Sequence, residues 1–213
     1  MLLLSLDLAF SLNNFTLFDC QKKEAKLLYG ENRGKKSLEI FPAIFETLGV
    51  EIDKVDAFAV NLGVGYSTGL RIAVSMAKTY AQVSEKPLLT YTSCEALLGS
   101  LPLRGTFLVV FKVSRYFVGG IWKKENTLPE GVEYPIILRG ENFGELTERV
   151  DGVVVPAAIA AAFKSTFNYK GELLEVANES LSYGGAFVSC EKLRRGLTAE
   201  LLKVEPLYFR PPV

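Results

Sequence analysis

The stretch Gly63 to Arg71, which reads GVGYSTGLR, decides the fold because it joins an apolar strand to a long helix. The run 55–60 before it is apolar except for Asp56, which is typical of a buried strand. The periodic pattern after it predicts a helix to about Val83. Three glycines supply positive φ angles and room for close approach of the main chain where the chain reverses sharply. They are Gly63, Gly65 and Gly69.

This turn also has the features of an anion site, since main-chain amides at the start of a helix bind negative charge. The candidate contacts are Gly63, Gly65, Thr68, Gly69 and Arg71. The spacing is GxGxxxG, which differs from the GxGxxG of dinucleotide sites, and no P-loop Gly-Lys-Ser/Thr follows. Spacing alone therefore leaves two interpretations open, a phosphate-binding turn and a tight turn without a ligand.

Two helices of the first half have apolar faces wider than packing on a single sheet requires. The second helix has one narrow polar stripe, which consists of Arg71, Ser75, Lys78 and Gln82. We interpret the excess apolar surface as an interface with a second protein, the alternative being that both helices are sandwiched inside this chain. A charge at position 76 or 77 is then expected to abolish partner binding and leave the fold intact. The predicted interface residues are Leu38, Phe41, Phe45 and Leu48 of the first helix and Leu70, Ile72, Ala73, Met76, Ala77 and Tyr80 of the second.

The order of elements predicts two related α/β halves. A meander of three strands begins the chain, followed by a helix at 38–48, the strand and helix around the glycine turn, and a strand at 87–91. A hinge at 99–105 separates a first domain, 1–101, from a second, 102–213, in which strands again precede helices. Helices are predicted there at 157–167 and 186–195. We expect two mixed sheets flanked by helices, with the last helix packing back on the first domain.

Charge and histidine content exclude several classes of function. The 24 basic residues balance 24 acidic residues, so the protein has no overall field that would attract a polyanion or an anionic membrane. The sequence of 213 residues contains no histidine. This excludes a Ser-His-Asp triad, a Cys-His dyad and any metal site with an imidazole ligand. We expect no metal site and no membrane association.

The cysteines suggest a reducing environment. Cys20, Cys94 and Cys190 lie far apart and form no CxxC pair, so we expect neither a zinc ribbon nor a disulfide framework and place the protein in the cytoplasm. The apolar start, MLLLSLDLAF, lacks the basic residues of a signal peptide and is interrupted by Asp7. It is predicted to be a core strand.

Four segments carry a resemblance to one family. VNLGVGYSTGLRIAVSMAK at 60–78 resembles the GPGSFTGLRIG signature of the TsaB (YeaZ) family, which takes part in making threonylcarbamoyladenosine in tRNA. SLDLAF at 5–10 resembles the family's opening strand. KSLEIFPAIFETLGV at 36–50 resembles its first helix, and EPLYFR at 205–210 its closing segment. The resemblance therefore spans nearly the whole chain.

This resemblance implies a two-lobed actin-like ATPase fold, of the ASKHA or ribonuclease H-like type. It also implies a non-catalytic role as partner of the TsaD threonylcarbamoyltransferase, which modifies the adenosine beside the anticodon. The first-domain helices would form the heterodimer, and a homodimer in isolation is left open. TsaE, an ATPase, would join the pair with ATP or ADP near the junction, and tRNA would be contacted only within the complex. The protein itself would need no cofactor.

Departures from the family pattern leave two rival interpretations. Leu8 and Ala9 replace the small hydroxyl residues that usually follow Asp7, which weakens a phosphate-binding role for that strand end. The first rival is a stand-alone actin-like ATPase or kinase that uses Asp7 as a metal carboxylate and the glycine turn as a phosphate cradle. The second is a glycopeptidase-like hydrolase, against which the lack of histidine argues.

Overall fold

The first sheet is built from the amino-terminal half of the chain. The computed structural model describes residues 1–31, 37–99, 101–177 and 180–208, and for 37–40, 44 and 180 it describes the main chain alone. The sheet order is β3-β2-β1-β4-β5. Its first three strands are antiparallel, while β4 runs parallel to β1 and β5 parallel to β4. The strands are β1 (Leu2–Asp7), β2 (Asn13–Asp19), β3 (Glu24–Glu31), β4 (Ala57–Asn61) and β5 (Leu88–Tyr91).

The second sheet repeats the first. Its order is β8-β7-β6-β9-β10, again with three antiparallel strands followed by two parallel additions. Its strands are β6 (Gly105–Val113), β7 (Tyr116–Lys124), β8 (Glu130–Leu138), β9 (Gly152–Pro156) and β10 (Leu173–Val176). Because each parallel neighbour requires a crossover, a helix precedes the fourth strand of each sheet. The predicted α/β architecture, two halves that each have a mixed sheet flanked by helices, is confirmed.

In the described part of the chain, six α-helices cover the sheets and define three groups of buried side chains. One group lies under α1 and α2 on the first sheet, and another lies under α4 and α5 on the second. The third joins the halves, since it combines side chains of both sheets with α3 and α6. The helices are α1 (Ser37–Thr47), α2 (Ser67–Val83), α3 (Ser93–Gly99), α4 (Gly140–Glu148), α5 (Ala157–Phe167) and α6 (Ser180–Arg194). In the structure, α6 packs against strands β1, β2, β4 and β5 of the first sheet.

The structure contains elements that the sequence pattern did not predict. Helix α4 was missed because GENFGELTE is polar and contains two glycines, and β10 is only four residues long. Helix α6 begins six residues earlier than expected. Its Gly184 and Gly185 allow close packing, because a methyl group on Gly184 would overlap the carbonyl oxygen of Ala96 and one on Gly185 would overlap the ring of Tyr91. Residues 182–185 therefore lie in the first turns of this helix.

The expectation that no disulfide forms is also wrong. Cys20, which follows β2, is bonded to Cys190 of α6, with 5.4 Å between their Cα atoms. Cys94 is a buried free thiol. The bonded residues lie 170 positions apart in sequence, and they meet because α6 returns to the first sheet. Spacing along the chain could not reveal that contact.

Candidate functional site

The glycine turn connects β4 to α2 as the sequence predicted. Helix α2 begins at Ser67, and Tyr66 at its N-cap provides no side-chain hydrogen bond to the helix. Gly63 has a φ of 126°, a conformation that side-chain-bearing residues rarely adopt. Its amide donates a 2.8 Å hydrogen bond to Oδ1 of Asn61, the last residue of β4. The turn is thus fixed to the strand end from which it departs.

The space in front of the turn is filled by the chain's own backbone. The Tyr66 amide donates a 2.6 Å hydrogen bond to the carbonyl oxygen of Ala9, in the connection between β1 and β2. A Cβ on Gly65 would lie 2.5 Å from that oxygen, and one on Gly69 would overlap the carbonyl oxygen of Leu8. The prediction of positive φ angles is wrong for these two glycines, which serve close packing against residues 8 and 9 instead. A phosphate in contact with them would require this connection to move.

We expect Gly69→Ala to lower the free energy of unfolding by about 3 kcal/mol or more, since the methyl group would meet backbone that cannot rotate away. Denaturant titration of the purified variant measures this. The matched control is Gly144→Ala in α4, where a Cβ meets nothing within 4 Å. That variant should gain roughly 0.5–1 kcal/mol from helix propensity. Equal stability of the two variants would contradict the packing described for Gly69.

Asp7, at the end of β1, is enclosed and fully buried. Its Oδ1 accepts a 3.0 Å hydrogen bond from the Ala9 amide, and its Oδ2 accepts one of 2.7 Å from the Asn61 side chain. Burial raises the pKa of Asp7 to about 6, although both hydrogen bonds act in the opposite direction. The Asn61 amide also contacts Ser93 Oγ at 2.9 Å. Asp7 is thus part of a buried polar network, and in this conformation its carboxylate has no open face for a metal ion.

Arg71 contacts Tyr208, near the carboxyl end of the described residues. Its Nε donates a 2.8 Å hydrogen bond to the hydroxyl of Tyr208, and its guanidinium carbon lies 5.0 Å from the centroid of that ring. Residues 197–208, here called the C-terminal strap, also place the Leu207 amide 2.7 Å from the carbonyl oxygen of Leu62. The strap therefore lies against the glycine turn. The sequence identified Arg71 and the closing segment separately, with no sign that they meet.

Most of the predicted interface side chains lie inside the chain's own core. Buried residues of α1 and α2 pack together over the first sheet. The ring centroids of Phe15 and Phe45 there are 4.8 Å apart. Ile72 and Tyr80 are partly buried, Leu48 is 39% exposed, and the side chain of Leu38 lies outside the described residues. The buried residues are Phe41, Phe45, Leu70, Ala73, Met76 and Ala77. The structure thus corrects this list, since the wide apolar faces cover the sheet and each other, and these six side chains are unavailable to a partner.

The exposed side of the same two helices is a different set of residues, here called the outer face. It is made largely of small or polar side chains, and the structure shows it open to solvent. Its residues are Pro42, Ala43, Glu46 and Thr47 of α1 and Thr68, Arg71, Ser75 and Thr79 of α2. Small side chains let the axis of a second helix approach closely. Sequence periodicity had identified only the polar stripe of α2.

Two cavities lie in different parts of the structure. One of about 450 Å³ adjoins the glycine turn and the strap, and it is lined by Val64, Tyr134, Pro135, Pro206, Leu207 and Tyr208. The other, of about 610 Å³, lies at the predicted hinge between α3 and β6. There the Lys124 amine donates to the carbonyl oxygens of Leu98 and Gly99 at the end of α3 and of Leu101 beyond it. Burial lowers the pKa of Lys124, and its three donors serve the protein's own main chain.

Among residues 1–31, 37–99, 101–177 and 180–208, no three carboxylate or cysteine side chains are grouped as a metal site requires. None of the helices in these ranges has the length and apolar character needed to cross a membrane.

The structure is similar to two solved structures from Pseudomonas aeruginosa. A crystal structure described as an uncharacterized protein with similarity to peptidase YEAZ, from Pseudomonas aeruginosa, superimposes with a TM-score of 0.74, covering 98% of this chain and 99% of that one. YeaZ from Pseudomonas aeruginosa gives 0.71, covering 97% and 100%. The chain has the fold of YeaZ. Sequence identity to each is 17%.

A family model matches part of the sequence. Residues 34–114 match the family model described as TsaD, tRNA N6-adenosine threonylcarbamoyltransferase. That segment runs from the start of α1 to the end of β6 and includes the glycine turn. An archaeal actin homologue, 12% identical, aligns over 92% of this chain with a TM-score of 0.43. Among curated proteins, none matches the sequence significantly.

Proposed function

We propose that this protein is a non-catalytic partner of a TsaD threonylcarbamoyltransferase, active in forming threonylcarbamoyladenosine beside the tRNA anticodon in the cytoplasm. The observation that carries the proposal is the closed glycine turn in a chain with the YeaZ fold. Leu8 and Ala9 fill the space in front of Gly65 and Gly69, and Asp7 is enclosed. The residues that would form an active site in an actin-like ATPase are used here for packing. The absence of histidine from the sequence agrees with this reading.

The outer face of α1 and α2 is the surface that we assign to the partner. Ala43, Ser75 and Thr79 are small and exposed, which suits helix-on-helix packing at close distance. Arg71, held by Tyr208, offers a fixed positive charge beside them. The same face would serve a homodimer when TsaD is absent. Pairing through the helices is thus retained from the sequence analysis, with exposed residues replacing the buried ones.

The test is co-purification with TsaD from the same organism. We expect Ser75→Arg to reduce the bound fraction at least about 10-fold, because a long charged side chain would hold a partner helix away. The matched control is Ser165→Arg on the exposed side of α5, which should bind as the unchanged protein does. Thermal denaturation checks that both variants fold. Equal binding by the two variants would contradict the assignment of the outer face.

Recruitment of TsaE and nucleotide is proposed for the complex and not for the isolated chain. Isothermal titration with ATP and Mg²⁺ should therefore give no micromolar binding to this protein alone, and binding should appear when TsaD and TsaE are added. Micromolar binding by the isolated chain would favour the stand-alone ATPase instead. Modified adenosine in tRNA, measured by mass spectrometry, should form only when all components are present.

A hydrolase remains the second candidate, because one structure with this fold is described by its similarity to a peptidase. Peptide cleavage by the isolated protein, retained in a preparation freed of contaminating proteases, would support it. We expect no such cleavage.

A further inference from the structure

The Cys20–Cys190 disulfide joins parts of the chain that belong to different halves in sequence. Cys20 follows β2 of the first sheet, while Cys190 lies in α6, which comes after all the strands of the second sheet. Their Cα separation of 5.4 Å is ordinary for a disulfide. The two residues are 0% and 3% exposed. The bond thus closes a loop that contains nearly the whole second half.

Noncovalent contacts hold α6 along the same sheet. At its start, Ser182 Oγ lies 2.7 Å from Thr16 Oγ of β2. Near its end, Lys192 pairs with Glu95 of α3 at 2.6 Å, and Arg194 donates to the carbonyl oxygen of Cys20 itself. The disulfide lies between these contacts. It therefore secures the middle and carboxyl end of a helix that is already docked.

The C-terminal strap continues directly from this helix. The Ala199 amide donates a 2.8 Å hydrogen bond to the carbonyl oxygen of Leu88 in β5, the edge strand of the first sheet. Lys78 of α2 donates to the carbonyl oxygen of Val204 at 3.3 Å, and the strap then reaches Leu62 and Arg71. An edge strand is a site for unwanted pairing unless it is covered. The strap covers β5, and α6 fixes the point from which it starts.

We propose that the Cys20–Cys190 bond is a buried staple that holds α6 and, through it, the C-terminal strap on the first sheet. Reduction would cleave the sulfur–sulfur bond with two electrons and two protons, leaving two thiols while a dithiol reductant becomes its cyclic disulfide. Formation is the reverse exchange with a small-molecule disulfide. Because a thiolate must reach a sulfur atom to attack it, the staple resists reduction while α6 stays docked. This shielding allows the bond to persist in a reducing compartment. The inference does not depend on the proposed function.

The first measurement is a thiol count on the protein purified without reductant. After unfolding in guanidinium with iodoacetamide, we expect one labelled cysteine, Cys94, and three after treatment with dithiothreitol. Reduction of the folded protein should be at least about 100-fold slower than that of the unfolded chain, since the sulfurs are buried. Three labels without reductant, or equally fast reduction of folded and unfolded protein, would overturn the proposal.

The second measurement is hydrogen exchange in the unchanged protein and in Cys190→Ser. Loss of the cross-link should raise the equilibrium constant for local undocking of α6 and the strap by roughly 10²-fold, while the second sheet stays folded. The amides of Ala199 and Leu207 should exchange faster in the variant and in the reduced protein. The amides between β6 and β7 serve as the internal reference, and Cys94→Ser as the matched control variant. Unchanged exchange at 199 and 207, or equal acceleration throughout β6 and β7, would count against a staple for the strap.

Discussion

Replacing Ala77 with Asp is expected to prevent folding rather than to break a complex. Ala77 is fully buried in α2, within the group of side chains between this helix and the first sheet. A carboxylate there would lose its hydration without a partner, which costs several kcal/mol and is comparable with the whole stability of a small protein. We expect a loss of at least about 4 kcal/mol. Circular dichroism during thermal denaturation, together with soluble yield, measures the effect.

Ser75→Asp is the control for this substitution, since Ser75 lies two residues away on the exposed side of the same helix. It introduces the same charge into the same element, and its melting temperature should stay within a few degrees of the unchanged protein. If Ala77→Asp folded as stably as Ser75→Asp, the orientation of α2 described here would be wrong. The sequence pattern predicted the opposite result for position 77, a folded protein that fails to bind.

These two expectations differ because helix periodicity shows only part of how a helix packs. An apolar stripe indicates that a face is buried, but it does not indicate which element covers it. The aromatic rings of Phe15 and Phe58, on two strands of the first sheet, lie against Phe45 and Tyr80 and account for the width of both helical faces. Strand patterns show that such rings point to one side of a sheet. They do not show how many helices share that side.

The glycine turn was predicted correctly as a sharp strand-to-helix connection, and its chemistry was left open. The deciding contact is made by Leu8 and Ala9, more than fifty residues earlier in the chain. Contacts of this kind also join Arg71 to Tyr208 and Cys20 to Cys190. Local propensity predicted most of the strands and helices because each carries its own pattern, but it missed α4 and β10. Long-range pairs have no such pattern, and the network of Asp7, Asn61 and Ser93 was missed for the same reason.

Asp7 should make the free energy of unfolding larger in mild acid than at neutral pH. Its pKa is raised from 3.8 to about 6 by burial, so between these pH values the folded chain keeps a proton that the unfolded chain has released. The contribution of Asp7 to the free energy of unfolding therefore falls as the pH rises from about 4 to about 6. A shift of this size corresponds to about 3 kcal/mol, and the loss is complete about one pH unit above the folded-state pKa.

The measurement is guanidinium denaturation at pH 4 and pH 7.5 of the unchanged protein and of Asp7→Asn. The amide cannot titrate, so the stability difference between the two proteins should shift by about 2.5 kcal/mol between these pH values, in favour of the variant at pH 7.5. Carboxylates whose pKa is lowered, such as Asp19 and Glu24, act in the opposite direction, but they are present in both proteins and cancel in the difference. Asp53→Asn, which removes an exposed carboxylate, controls for the loss of one charge. A stability difference that is the same at both pH values would mean that Asp7 is hydrated in solution, and the closed arrangement of the β1 end and the glycine turn would then be wrong.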